Sequence, residues 1–138
     1  MKTPQDGLDE VLSYLQVPQL IDVITGSVFE NNERGNSKLE DVCLNALSMS
    51  DADRQQGVIN VNVFAPDIKR EINGEIVPVA DKERLKIIVN IIKVLLGEKR
   101  GKYFDGGNFW ISNISGALQE KEIKQHKVNI RVEIRFNN

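Results

Sequence analysis

The stretch Gly57–Ala65, GVINVNVFA, constrains this chain more than any other. Ile59, Val61, Val63 and Ala65 fall on one side and Val58, Asn60, Asn62 and Phe64 on the other, the two-residue period of a pleated strand. Its β-branched content fits a central strand, and Pro66, which has no N–H to donate, should end the ladder. A central strand needs neighbours. Asp41–Met49, DVCLNALSM, sets Val42, Leu44 and Ala46 against Cys43, Leu47 and Met49, so a strand covered on both sides is expected. The intervening SDADRQQ begins with turn chemistry, which makes the two strands an antiparallel pair. Lys127–Asn137 alternates most cleanly of all: Val128, Ile130, Val132, Ile134 and Phe136 point inward, with one wet face opposite. Phe109–Leu118 is a further strand, after a loop over Glu98–Asn108.

Two helices are expected beside this sheet. Leu8, Val11, Leu12 and Leu15 recur at helical spacing over residues 4–15, with Thr3 as N-cap, Pro4 in the first turn and Val17-Pro18 closing the helix. The second begins at Asp81 and runs to about Leu96, ended by Gly97; its core is Leu85, Ile88, Val89, Ile92, Leu95 and Leu96. Ile87, Ile91 and Val94 widen that stripe, so burial on more than one side is expected. Between the first helix and the Asp41 strand, a short helical turn or strand leads through Gly26–Phe29 into an exposed polar loop, ENNERGNS. The core is expected to hold Leu8, Leu12, Val42, Leu44, Ile59, Val61, Val63, Leu85, Ile88, Ile92, Leu95, Val128, Ile130, Val132 and Ile134.

Residues 66–80, PDIKREINGEIVPVA, stand apart. Asn73-Gly74 between Ile72 and Ile76 is a two-residue type I′ hairpin signal, and prolines at both ends keep the segment out of the main sheet. The reading is a projecting arm. Its Ile68, Ile72, Ile76, Val77 and Val79 exceed what a solvated hairpin needs, so they are the candidate oligomer interface. Residues 1–138 therefore form one α+β domain: a mainly antiparallel mixed sheet, two principal helices packed on one face, and a projecting β-hairpin.

Hydrophobic residues make up 41% and charged residues 28%, as in ordinary globular proteins, and the net charge of −2 argues against a dedicated nucleic-acid surface. The short basic clusters Lys69-Arg70 and Lys99-Arg100-Gly101-Lys102 read as solvated loop charge. MKTPQDGLDE has no apolar run and Ile87–Leu96 is broken by Asn90 and Lys93, so neither export nor membrane spanning is expected; the chain should be cytoplasmic where it is made.

Little in the sequence supports catalysis. His126 is the single histidine and reads as a surface-turn residue; Cys43 is the single cysteine and reads as core. Gly97–Tyr103 has the wrong glycine spacing for a phosphate loop, ends in Tyr, and follows a helix. Asp51 and Asp53 lack further acidic ligands at calcium-loop spacing and read as a turn with a helix-capping Asp. Trp110 is either an exposed partner anchor or an aromatic packed on the sheet. No catalytic, cofactor-binding or metal-binding residue is assigned, and no enzyme activity is expected.

The N-terminal helix, ITGSVFENNER, the strands EDVCLNALSM and GVINVNVFAPD, the helix ERLKIIVNIIKVLL and the closing KVNIRVEIRF together resemble a tail-completion or tail-terminator protein of long-tailed bacteriophages and prophages. The resemblance covers nearly the whole chain, most specifically Ile24–Phe29 and Asn36–Pro66. It implies a small subunit that assembles as a homo-oligomeric ring at the end of the tail tube, stops its polymerisation and meets the head connector. Tail-tube and head-connector proteins are then its partners, with the virion tail its destination. The alternative is a non-enzymatic host or prophage binding module that uses a helix–sheet groove for a peptide or small ligand. Genomic position among tail genes would separate the two.

Overall fold

The Gly57 strand is the middle of a longer one. In the computed structural model, which describes residues 1–31 and 33–137, the chain forms helices α1 (Pro4–Leu15) and α2 (Pro18–Ile21), then strands β1 (Val28–Glu30), β2 (Asp41–Met49) and β3 (Arg54–Pro66). The hairpin strands β4 (Ile68–Ile72) and β5 (Glu75–Val79) follow, then helix α3 (Lys82–Leu95). Strands β6 (Lys102–Phe104), β7 (Gly107–Ile114), β8 (Leu118–Glu120) and β9 (Gln125–Asn137) complete the chain. The main sheet has the order β1-β2-β3-β9-β7-β6, with β8 also paired to β9; β1 runs parallel to β2 and every other pair is antiparallel. The α+β class, the two principal helices on one face and the separate hairpin are all present.

Strands β3 and β9 pair along their whole length, from Arg54 opposite Asn137 to Pro66 opposite Gln125. Both exceed their apolar stretches because a buried glutamine extends each. Gln55 donates to the Lys2 carbonyl at 2.8 Å and accepts from the Lys2 amide at 2.7 Å. Gln125 accepts from Arg34 at 3.0 Å and donates to the Ser37 carbonyl at 3.2 Å. Bonded in this way, each polar side chain stays buried without an unsatisfied group. Pro66 is the last residue of β3, as expected, since a proline adds no ladder donor.

One face of this ladder is the core. Ile59, Val61, Val63, Val128, Ile130, Val132 and Ile134 are buried under α1, which contributes Leu8, Val11, Leu12 and Leu15, and α3, which contributes Leu85, Ile88, Val89 and Ile92. Every residue expected in the core is buried except Leu95, which packs half-buried at its margin; Leu20, Ile24, Leu96 and Phe109 are further members. On the opposite face asparagines bond to one another across three strands: Asn62 donates to Asn45 at 3.3 Å, and Asn129 donates to Asn62 at 2.9 Å and to Asn60 at 3.3 Å. That ladder satisfies polar groups on a half-covered face.

Helix α1 starts where its cap dictates. Thr3 accepts from the Asp6 amide and Asp6 from the Thr3 amide, a reciprocal box that satisfies donors the helix leaves free. Helix α3 is capped by Asp81, and its C-terminus turns at Gly97, whose φ of +82° suits a residue without a side chain.

Several expectations need correction. Strand β2 is covered on both faces only over Asp41–Leu44; Leu47 is exposed. A register shift between Ala46 and Met49 returns Met49 to the core side, against Gly7 and Gly57. Ile87 and Val94 are exposed, Val94 at 64%, because the outer side of α3 meets no sheet and α2 covers only its flank. Within the expected loop 98–108 lies β6, too short for a visible period and held by Phe104 stacking near Phe109 and Phe136. The expected strand 109–118 is two pieces, β7 and β8, which lie one after the other along the same side of β9. Asp51 and Asp53 join two strands, so no helix is capped there. Lys69 and Arg70 sit on β4, not in a loop.

Ile92 is fully buried between α3 and the sheet. Ile92→Ala should destabilise the protein by about 2–5 kcal/mol through lost burial and a residual cavity. A urea titration would show this as a lower midpoint with an unchanged slope.

Candidate functional site

The hairpin is the feature the sequence marks for interaction. Asn73 and Gly74 have φ of +52° and +82°, as a type I′ turn requires, and β4 and β5 form their own two-stranded sheet. Opposed residues in such a pair share a face. Ile68 lies opposite Val79, Arg70 opposite Val77 and Ile72 opposite Glu75, whereas Lys69 faces Pro78 and Glu71 faces Ile76. Four of the five candidate interface residues, Ile68, Ile72, Val77 and Val79, therefore line one face. Ile76 stands on the other and is 72% exposed. Val77 and Val79 are half-buried, while Ile68 and Ile72 remain 41% and 44% exposed. None of the five belongs to the core cluster.

Both roots of the arm are tied to the body by polar side chains. At the first, the Asp67 amide donates to the Lys124 carbonyl at 3.0 Å, and Asp67 Oδ1 lies 2.6 Å from His126 Nδ1. The Asp67 carboxylate is buried and His126 nearly so, which makes His126 a strand residue of β9 and not the surface-turn residue its polar neighbours suggest. At the second root, Asp81 caps α3, and Arg84 forks onto Glu40 with bonds of 2.7 and 2.8 Å while also donating to the Val23 carbonyl at 2.9 Å. A bidentate guanidinium–carboxylate pair fixes orientation as well as distance.

Glu40 lies between the stretch read as an exposed polar loop, ENNERGNS, and the Asp41 strand. Residues 33–40 fold back over the far end of the sheet, where Arg34 donates to Asp41 at 2.8 and 3.0 Å and lies 4.1 Å from the centre of the Phe64 ring. Arg34 and Asp41 are 8% and 1% exposed in their side chains, so this is a buried ion pair. The Gly26 amide donates to the Glu40 carbonyl and the Ser27 amide to the Asp41 carboxylate. A Cβ at Gly26 would overlap that carboxylate, so no side chain fits there. Cys43 lies beneath, and burial pushes its thiol up to about 11, with Asp41 adding and Arg34 opposing; it remains a protonated core thiol. Trp110 is half-buried on the sheet with the Arg135 guanidinium 5.4 Å from its ring.

A groove runs between α3 and β7. Ile111, Ile114 and Val89 lie along it, and lysines from α3 stand at its rim. A helix–sheet groove was among the expectations, but nothing in the sequence placed it here, beside the register shift of β7.

No family model and no curated protein sequence matches this chain. Among the described residues no helix is long and apolar enough to cross a membrane.

The Arg84 hydrogen bonds hold the Glu40 carboxyl below its ordinary value of 4.5, against an opposing effect of burial and with help from the Thr25 amide. A carboxyl lowered on folding contributes stability that is fully present above 4.5 and is lost as pH falls through the depressed folded value. Glu40→Gln should therefore cost about 1–3 kcal/mol at neutral pH, a partly buried pair being worth less than a fully buried one. Urea midpoints measured against pH should show the two proteins converging on the acid side.

Proposed function

We propose that this chain is a structural assembly subunit that works by oligomerising through its hairpin. In the specific form implied by the resemblance to tail-terminator proteins, it closes a ring at the end of a phage tail tube and joins tail to head. The observation that carries this reading is an apolar-faced hairpin bonded to the body at both roots, outside the core and largely exposed. A lone two-stranded hairpin is marginal in water, so its apolar face gains most when it packs on something else. A ring needs a head-to-tail contact in which each subunit offers different surfaces to its two neighbours, and an arm reaching onto the next subunit is such a contact. The bidentate Arg84–Glu40 pair and the Asp67–His126 contact support this use, because an arm with fixed roots loses less conformational freedom on docking. A second reading, a non-enzymatic binding module, is supported by the groove between α3 and β7, and one subunit can carry both surfaces.

Replacing residues 68–78 by a short Gly-Ser linker should leave a folded monomer, since no residue removed is in the core. Light scattering of both forms, at high concentration and with tail-tube protein, should find the oligomer only for the intact chain. An unchanged oligomer after replacement removes the hairpin as the contact, and an intact chain that stays monomeric with its tube removes the ring reading.

A further inference from the structure

The groove between α3 and β7 owes its shape to a single irregularity. Ile111 pairs with Val132 and Ile114 with Ile130, so both face the core side of the sheet although they lie three positions apart. In a regular strand they would point to opposite faces; the register shift between Ile111 and Asn113 sets them on the same one. With Val89 they give two adjoining hollows, of about 450 and 300 Å³, that share Ile114 as a lining residue. Beyond Phe109 the outer edge of β7 has no strand partner among the described residues, because β6 pairs only with Gly107–Phe109. An apolar floor therefore lies beside a free sheet edge.

The rim is basic. Lys82, Lys86 and Lys93 follow one side of α3 with Val89 between them, and Lys99 and Arg100 continue the line past the helix end. Among the described residues none of these five cations is in an ion pair, and Glu98 is the only acid along the groove. On a chain of net charge −2, such a stripe is local and one-sided. We infer that this groove binds an extended acidic segment of a partner protein, with alternate apolar side chains seated on Val89, Ile111 and Ile114 and its carboxylates facing the lysine stripe. The apolar floor favours a peptide over a nucleic acid, which would need stacking or phosphate contacts along the whole path. This inference is independent of the hairpin and the ring.

The probe is a fluorescent peptide of alternating Glu and Val, titrated against the full-length chain by anisotropy. Binding should weaken as salt is raised, because the rim charges are exposed. Lys86→Glu/Lys93→Glu and, separately, Ile114→Gln should each weaken it at least about tenfold, which corresponds to roughly 1.4 kcal/mol. Both variants change exposed or half-exposed positions and should keep the native circular dichroism. Two further peptides need no variant: one with Lys for Glu and one with Ser for Val, neither of which should bind. The inference is overturned if the Glu-Val peptide does not bind, if either control peptide binds as well, or if a single-stranded DNA oligonucleotide binds more tightly and loses that binding in the double variant.

Discussion

The antiparallel ladder between β3 and β9, thirteen residues on each side, is the interaction on which the remainder depends. It has two unlike faces. The inner one is a continuous apolar surface that α1 and α3 cover; the outer one carries asparagines bonded to one another and, at its far end, the folded-back segment 33–40. A slip of one residue would turn each face over, burying the asparagines and exposing the isoleucines and valines, so register and core specify each other.

Buried polar groups attach the ends of this ladder to its surroundings. Gln55 ties one end to the N-terminus, and Gln125 with Arg34 and Asp41 ties the other to the long connection after β1. Each of these groups is paired, which matters more than its net contribution, because an unpaired charge at such depth would cost several kcal/mol. The roots of the hairpin lie at the same end, through Asp67 with His126 and Glu40 with Arg84. The arm is thus fixed at its base and stays outside the core, with β4 exposed throughout and β5 half-buried only at Val77 and Val79.

Much of this was legible. Alternation located β2, β3 and β9, helical spacing located α1 and α3, and Asn73-Gly74 located the hairpin turn, because each signal is local and repeats over several residues. Elements that depend on distant partners were not. Gln55 and Gln125 read as linker and turn residues; nothing near them in sequence reveals the Lys2 carbonyl or the Arg34 guanidinium that lets them be buried. His126 looked like part of a polar turn for the same reason, its partner Asp67 lying across the sheet end. Ile87 and Val94 fit the apolar stripe of α3 by spacing, yet spacing does not say how many sides of a helix are covered. A helix–sheet groove was expected without a place; its position beside β7 goes with a register shift at Ser112, and Asn113-Ile114 carries no mark of one.

Amide hydrogen exchange on the isolated chain tests the central claim most directly: one body held by the β3–β9 ladder, with an arm that stands outside its core and, as proposed above, docks on a neighbour. Amides of β3 and β9 should exchange slowest, at the rate of global unfolding, and those of β4 and β5 should exchange rapidly and slow only when the chain oligomerises. Hairpin amides as protected as the ladder in a sample shown to be monomeric would contradict the account, since the arm would then be part of the subunit's own fold.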